Sequence, residues 1–391
     1  MNRLPYASPP PSTGRLLLVA NYKPDTGFAW WLMENFWVQA SQVGRAQGLE
    51  PLLVYPEDGP IPQTILDANI DTQILPFPGT TRQAFRKSRE LVRAENVDAV
   101  YLTDRRFTDL RYGFLRLDGV QRIINHDHTP GDRPPVAGVK GGLKALWRRT
   151  PLLSCDLQIC VSPLIRERGI RNARIPADRL AVVQNGIQPL DCQGSDPTYV
   201  QQELDIPDQH RVCVMAGRAH PYKRVDFMIQ VARHTRHELG LNDLTFVFCG
   251  DGPDLERLKG LAASASLGPN FIFAGPREDL DQILCSADMA IHPSQGEAFS
   301  LAIIEYMSAG LPVLVPDIPT VAQAIRQGEN GFVYPDENVA DAARCLQLLT
   351  EDDELRSRLG NQARRDADEK YSLSQMNETF REVMGQALMG V

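Results

Sequence analysis

Short apolar runs alternate with amphipathic stretches along the first part of the chain. The runs predict buried strands, and the stretches between them carry apolar residues at the spacing of a helix. Strands that alternate with helices in this way are typical of a parallel, doubly wound α/β sheet. The predicted strands lie at 15–20, 51–55, 97–104, 122–125, 157–162 and 179–186.

A polar segment without periodicity, IQPLDCQGSDPT at 187–198, interrupts this alternation and predicts a linker between domains. A second strand–helix series follows it. Its strands are predicted in RVCVMAG, LTFVFCG, NFIFAG, AIHP, PVLV and NGFVY, and helices complete the chain. Two α/β domains are therefore expected, which agrees with a length of 391 residues.

The stretch 290–316, AIHPSQGEAFSLAIIEYMSAGLPVLVP, predicts a strand, a turn, a helix and a strand. Glu297 and Glu305 are eight residues apart, about two helical turns, so both acids are expected near one helix face. The backbone amides of Phe299, Ser300 and Leu301 would lie at the helix N-terminus, where anions bind. Acids beside an anion site favour a ligand with both hydroxyls and phosphates, such as a sugar nucleotide. The alternative is that both acids are solvated surface residues.

Two loops after predicted strands carry further candidates. Arg218 and Lys223 follow RVCVMAG, and their fork and point charge suit a diphosphate, although both could be solvated cations. Gly250 and Gly252 open the next helix, where glycines allow the backbone to approach a ligand. Ordinary turn chemistry explains these two glycines equally well.

His126 and His128 follow the strand at 122–125. A histidine in a loop at the end of a strand is a better candidate for a binding site than for the core. Two histidines without further ligands are weak evidence for a metal. We therefore expect a ligand contact and no metal here.

Composition and charge narrow the class of protein. The chain is 43% hydrophobic and 23% charged, typical of a globular protein, and it has neither a membrane-spanning run nor an apolar N-terminal signal. Seven cysteines without a C-x-x-C pair favour reduced thiols in a cytoplasmic protein. The net charge is −8, and no nucleic-acid-binding motif is present.

Positive charge is concentrated in residues 101–150. Lys140, Lys144, Arg148 and Arg149 surround apolar residues in KGGLKALWRR, and this basic amphipathic segment suits contact with anionic lipid. A solvated helix face is the alternative.

Taken in order, Arg218 and Lys223, the GDGP loop, and Glu297 and Glu305 with FSL between them resemble the retaining GT-B glycosyltransferases with the E-x7-E motif. This family is glycosyltransferase family four, or "glycosyl transferases group 1". The resemblance covers about 182–336 well and 1–150 loosely. It implies an α/β GT-B fold, with two Rossmann-like parallel-sheet domains facing across a cleft. These would be an acceptor-binding domain at 1–188, on which a C-terminal helix at about 372–391 packs, and a nucleotide-sugar domain at 189–371.

The resemblance also implies roles for the candidate residues. Arg218 and Lys223 would hold the diphosphate, Glu305 the ribose and Glu297 the donor sugar, and the amides of 299–301 would bind phosphate. His128 is similar to the family's sugar-contacting histidine, with His126 as the second choice. Gly27 resembles the glycine region near the donor phosphate. The residues expected to act in catalysis are Glu297, His128, Arg218 and Lys223, and those expected to bind the donor are Arg218, Lys223, Gly250, Gly252, Phe299, Ser300, Leu301, Glu305, Gly27 and His126.

The implied activity is metal-independent transfer of a sugar, with retention, from a UDP- or GDP-sugar to an acceptor hydroxyl, without a resident cofactor. The basic first domain favours a glycan or lipid-linked acceptor of the cell envelope or an exported polysaccharide, met at the inner face of the membrane. The alternatives are a nucleotide-sugar epimerase of the same fold and a non-catalytic nucleotide-sugar-binding protein. Three positions depart from the family: the first loop lacks a Gly-Gly run, Gln188 replaces an Asp, and Arg224 replaces a Gly.

Overall fold

The computed structural model describes residues 14–24, 30–131 and 138–390. The chain divides into two units, and the division falls between Gln184 and Asn185, close to the predicted linker. Of the described residues, unit 1 contains 14–24, 30–129, 138–184 and 376–390, and unit 2 contains 130–131 and 185–375.

Unit 1 is built on a seven-stranded parallel sheet. Its strands are β1 (Gly14–Val19), β2 (Leu49–Tyr55), β3 (Asp71–Ile74), β4 (Val97–Thr103), β5 (Arg122–Asp127), β6 (Leu157–Cys160) and β7 (Leu180–Val182). Its helices are α1 (Trp30–Ala46), α2 (Gln63–Asp67), α3 (Arg82–Ala94), α4 (Leu110–Leu117), α5 (Gly138–Arg148) and α6 (Pro163–Arg171). The strand order is β3-β2-β1-β4-β5-β6-β7. The central strands are apolar along their length because helices cover both faces of such a sheet.

Unit 2 repeats this plan with a six-stranded parallel sheet of order β10-β9-β8-β11-β12-β13. Its strands are β8 (Arg211–Ala216), β9 (Leu244–Cys249), β10 (Phe271–Gly275), β11 (Met289–Ile291), β12 (Val313–Pro316) and β13 (Gly331–Tyr334). Its helices are α7 (Tyr199–Glu203), α8 (Val225–His237), α9 (Leu255–Ser264), α10 (Leu280–Ser286), α11 (Leu301–Ser308), α12 (Val339–Glu351) and α13 (Asp353–Lys370). The prediction of two doubly wound α/β domains is confirmed.

The last helix, α14 (Leu373–Met389), belongs to unit 1 from Met376 onward. Its Phe380 ring packs at 4.9 Å from Phe36 and at 5.9 Å from Tyr101, measured between ring centroids. The final residues of the chain therefore complete the core of the first unit.

In each sheet, the order in which the strands are added reverses at one point. The chain winds outward from β1 to β3 and returns to β4 on the other side of β1; in unit 2, β8 and β11 are neighbours in the same way. Loops that follow these paired strands diverge to opposite faces, which leaves a crevice at the carboxyl end of the sheet. In unit 2 these are the loops that contain Lys223 and Glu297.

The prediction that all cysteines are reduced is wrong. Cys192 and Cys285 form a disulfide with a Cα–Cα distance of 5.3 Å, within the usual range. It joins the segment after β7 to α10 across 93 residues, a separation at which no local motif announces a pair. The other five cysteines are free, and four of them are buried.

Candidate active site

The loops after β8 and β11 bring three charged or polar side chains together. Lys223 Nζ donates to Glu297 Oε1 at 2.7 Å, and His292 Nε2 lies 2.9 Å from the same oxygen. Backbone bonds join the loops, because the Gln295 amide donates to the carbonyl of Tyr222 at 3.0 Å. Among the described residues, Glu297 Oε2 has no hydrogen-bond donor, so this oxygen remains available to a ligand.

The two donors fix the protonation of the cluster. Burial alone would raise the pKa of the Glu297 carboxyl, but the hydrogen bond from His292 and the charge of Lys223 outweigh it and hold this pKa at about 2. Burial lowers the pKa of His292. The imidazole is therefore neutral with its proton on Nε2, since only that tautomer can donate to the ionised carboxylate.

Local sequence explains how Lys223 reaches Glu297. Pro221–Lys223 forms a 3-10 turn whose first residue is proline, and His220 Nδ1 accepts the amide of Tyr222 at 3.2 Å. Arg224 then adopts a φ of 56°, in the left-handed region where glycine is favoured. The ion pair from Arg224 to Asp336, at 2.9 Å, and the Phe227 ring below its guanidinium hold this strained residue in place. These two contacts hold Arg224 in a backbone conformation that favours glycine, the residue that the family often has at this position.

The expectation that Glu297 and Glu305 share a helix face is wrong. Helix α11 begins at Leu301, and Glu297 precedes it in an irregular loop. Ser300 is the extended N-cap, but its hydroxyl lies 3.3 Å from His292 Nε2 instead of capping an amide. The first amides of the helix have no intrahelical acceptor, so they can receive an anion.

Tyr306 positions α11 against the end of β8. Its hydroxyl accepts the amide of Ala216 at 2.7 Å and donates to the carbonyl of the same residue at 3.1 Å. Glu305, the preceding residue, is partly buried, and burial together with the nearby charge of Asp281 raises its pKa to about 7. The two acids of the motif therefore differ in charge state near neutral pH.

Arg218 and the glycine loop complete this edge of unit 2. Arg218 is exposed, and its guanidinium makes no ion pair or hydrogen bond with the described residues. A Cβ at Gly250 would overlap the carbonyl oxygen of Gly217, and one at Gly252 would overlap the backbone of Ala219. Both glycines are therefore required by the close approach of two loops, whether or not a phosphate binds there.

His126 and His128, the candidates in unit 1, differ in their exposure to solvent. His126 is fully buried; its Nδ1 pairs with the Tyr101 hydroxyl at 2.7 Å, and its ring centroid is 4.6 Å from that of Phe36. His128 is partly exposed, and its amide donates to Asp104 Oδ1 at 2.6 Å. Burial lowers the pKa of both imidazoles. Gly27 lies outside the described residues.

The structure adds His292 and Tyr306, two residues that the sequence patterns did not predict. His292 lies near the end of the predicted strand AIHP, much as His126 and His128 directly follow the predicted strand at 122–125, and this position could have marked it. Tyr306 carried no signal, because a tyrosine within an apolar helix is usually part of the core. In the described part of the chain, no group of three or more His, Cys, Asp or Glu side chains could hold a metal ion.

The chain consists of two parallel α/β units, and unit 2 carries cationic and acidic side chains where its strand order reverses, which is where sheets of this class bind ligands. Residues 199–366 match the family described as glycosyl transferases group 1, and residues 33–189 match glycosyltransferase family 4. The chain belongs to this glycosyltransferase family, as its motifs predicted.

Similar proteins agree with this assignment. A D-inositol 3-phosphate glycosyltransferase of Streptomyces bingchenggensis is 27% identical over 69% of this chain and 60% of its own length. The chain thus spans less than two thirds of that curated relative. A glycosyltransferase of Rickettsia africae has a TM-score of 0.77 at 17% identity, over 97% of this chain and 99% of its own. HepE of Anabaena, solved with UDP, has a TM-score of 0.72 at 17% identity, over 94% and 99%. These structures confirm the GT-B fold.

In the described ranges, no helix combines the length and apolar character needed to cross a bilayer. The basic segment predicted to contact lipid forms α5, in which Lys144 Nζ donates to the carbonyl of Asn172 at 3.4 Å. The structure describes the backbone of Lys140 and Leu143 in α5 but not their side chains.

Donor affinity is expected to rise by up to about tenfold between about pH 6 and about pH 8, because Glu305 ionises in this window and a carboxylate accepts hydroxyl hydrogen bonds better than a carboxylic acid. The same raised pKa makes the fold bind this proton more tightly than the unfolded chain does, so stability falls as pH rises from the ordinary carboxyl pKa of 4.5 to about 7. Calorimetric titration with a nucleoside diphosphate at several pH values measures the affinity. In Glu305→Gln the slope should vanish, and an unchanged slope would assign it to another group.

Proposed function

We propose that this protein transfers a sugar from a nucleoside diphosphate sugar to an acceptor hydroxyl, with retention of anomeric configuration and without a metal ion. The observation that carries the proposal is the Lys223–Glu297–His292 cluster at the point where the strand order of unit 2 reverses, directly before the N-terminus of α11. It combines a cation, an oriented carboxylate and free helix amides, which are the groups that a sugar diphosphate requires.

Electrostatics supply the chemical step. As the bond between sugar and phosphate breaks, negative charge grows on the leaving diphosphate, and Arg218, Lys223 and the first amides of α11 are suited to oppose it. A cation about 4 Å away contributes about 1 kcal/mol in water and about 4 kcal/mol at an effective dielectric constant of 20. Because Lys223 is largely buried, its effect lies nearer the larger value. Two cations in such a site can replace a metal ion.

The pKa of Glu297 constrains its role. A carboxylate with a pKa of about 2 is a weak base, so it is unsuited to remove the acceptor's proton. It is well suited to accept a hydrogen bond from a sugar hydroxyl through Oε2, since His292 and Lys223 both occupy Oε1. We therefore assign the proton to the leaving phosphate, which gains basicity as it departs, and we assign Glu297 to sugar orientation.

We propose a lipid-linked or cell-envelope glycan as the acceptor, met at the cytoplasmic face of a membrane. Unit 1 supports this with cations on α3 and α5 and with exposed apolar side chains on α4 and α5. The curated relative named above acts on a different kind of acceptor, an inositol phosphate, so the acceptor does not follow from family membership.

The test has two stages with the full chain. A thermal-shift panel of UDP-, GDP- and ADP-sugars selects the donor, because a ligand that binds only the folded state raises Tm. Turnover of that donor with membrane-extracted glycolipid is then measured in EDTA and in Mg²⁺. We expect equal rates in both and an α-linked product from an α-linked donor.

Each other outcome contradicts a different part of this proposal. Loss of turnover in EDTA would contradict the assignment of Arg218 and Lys223 as the replacement for a metal. Conversion of the donor sugar without any acceptor would indicate an epimerase. Binding without turnover for any acceptor would indicate a nucleotide-sugar-binding protein.

A further inference from the structure

Helix α4 presents its apolar side to solvent. Leu110, Phe114 and Leu117 are 60%, 46% and 75% exposed, and their spacing of four and three residues places them on one face. The opposite face is buried through Tyr112 and Leu115. A helix on the surface of a globular protein normally has polar residues on the face that these three leucine and phenylalanine side chains occupy.

The apolar surface continues beyond the helix. Gly113 of α4 packs closely on the 3-10 turn Pro151–Leu153, from which Leu152 is exposed. This turn follows α5, whose Leu146 and Trp147 are exposed as well. We call the exposed side chains of Leu110, Phe114, Leu117, Leu146, Trp147 and Leu152 the α4 surface. Scattered exposed leucines need no explanation, but a contiguous set marks a contact surface.

Cations border the α4 surface. Arg106 lies beside α4, since its carbonyl accepts the Tyr112 hydroxyl at 2.7 Å, and Arg149 follows α5 directly. On the other side, α3 packs on α4 through Phe85, 5.9 Å from Phe114, with Arg82 one turn away. All three arginines are exposed, and none forms an ion pair or a side-chain hydrogen bond among the described residues.

We propose that the α4 surface docks on a bilayer that contains anionic lipid, with the three apolar residues of α4 inserted at the level of the headgroups. An apolar helix face bordered by unpaired arginines has the composition of an interfacial helix, which gains from both apolar burial and attraction to anionic headgroups. The sequence predicted lipid contact through the cations of α5. In the proposed contact, the exposed apolar face of α4 is the main element.

Charge argues against a second copy of the chain as the occupant. In a two-fold symmetric dimer the same patch meets itself, so Arg106 and Arg149 would face arginines of the other copy in an apolar interface. Nucleic acid would use the arginines but leave the apolar stripe without a partner. An anionic bilayer satisfies both features.

The test is vesicle sedimentation of the full chain, without nucleotide sugar, on phosphatidylcholine vesicles with and without phosphatidylglycerol. We expect binding only to the anionic vesicles. The variant Leu110→Ser/Phe114→Ser/Leu117→Ser should lower the partition coefficient by at least about tenfold. The variant Arg106→Gln/Arg149→Gln should lower it by about fivefold for each cation.

Matched controls separate this surface from general effects. Leu66→Ser removes an exposed leucine of α2, and Arg344→Gln/Arg365→Gln removes two exposed cations of unit 2; both should bind like the unchanged protein. Thermal shift with the donor checks that every variant is folded. The proposal is overturned if the unchanged protein ignores anionic vesicles, if the α4 variant binds like its control, or if sedimentation equilibrium shows a dimer that the α4 variant dissociates. None of these readouts depends on glycosyl transfer.

Discussion

Lys223→Ala is expected to lower the rate of sugar transfer by about 10²- to 10³-fold, the loss typical of removing one group that stabilises charge in a transition state. Two effects act together. The leaving diphosphate loses a cation that opposes its growing charge, and Glu297 loses the donor that holds Oε1 at 2.7 Å. Because both effects concern the reacting groups more than the nucleotide, most of the loss should appear in kcat.

The chain offers a matched control for this variant. Lys259 and Glu256 form a pair of almost the same length, 2.8 Å, but on the exposed surface of α9. Lys259→Ala should therefore leave kcat and KM unchanged. Steady-state kinetics with the donor found by thermal shift measure kcat and KM of both variants. Near-normal kcat in Lys223→Ala would remove this lysine from the proposed chemistry, and a fall in kcat of the control would point to a general loss of fold.

The apolar periodicity predicted most of the fold correctly because buried parallel strands have an unambiguous signature. Strand β3 was missed: its sequence DTQI is polar, and it lies at the edge of the sheet with most of its residues exposed. Strand β7 is shorter than predicted, since only Leu180–Val182 pair with β6. Both errors concern edge strands, where one neighbour is absent and the demand for apolar side chains is weaker.

The candidate site could be predicted as a set of motifs but not as a set of contacts. The order of Arg218, Lys223, Glu297 and Glu305 along the chain points to a nucleotide sugar, yet nothing in that order pairs Lys223 with Glu297. The pairing follows from the neighbouring positions of β8 and β11, whose register places Cys213 beside Met289. It joins two side chains that are 74 residues apart in the chain. A sheet register is decided by long-range packing, so local patterns cannot supply it.

Hydrogen-bond donors distinguish the two acids that the motif presents as equivalents, because burial raises the pKa of both carboxyls. Glu297 receives two donors, and its pKa is about 2. Glu305 has no side-chain donor among the described residues, and burial and the charge of Asp281 raise its pKa to about 7. One carboxylate is thus permanently charged and oriented, and the other responds to pH in the physiological range. Under the proposed function, this difference favours separate tasks, in which Glu297 orients the sugar and Glu305 binds another part of the donor with a dependence on pH.

Glu297→Gln is expected to lower kcat by about 10²-fold or more with a smaller change in donor affinity, because the amide keeps the shape of the side chain but loses the charge that Lys223 and His292 orient. A structural cost is expected as well. The depressed pKa stabilises the fold above the ordinary carboxyl pKa, by up to about 3 kcal/mol, and this contribution is lost as pH falls towards 2. The stability difference between the variant and the unchanged protein should therefore shrink between about pH 5 and about pH 3.

Kinetics and chemical unfolding of the same preparations separate the two effects. Glu256→Gln, in the exposed pair with Lys259, serves as the control and should change neither kcat nor the free energy of unfolding. If Glu297→Gln turns over normally, Glu297 does not orient the sugar. If mass spectrometry of the unchanged protein with slow donors detects a glycosyl group on Glu297, the carboxylate is a nucleophile. The free Oε2 would then be the attacking atom, with Oε1 held by His292 and Lys223 as the structure has it.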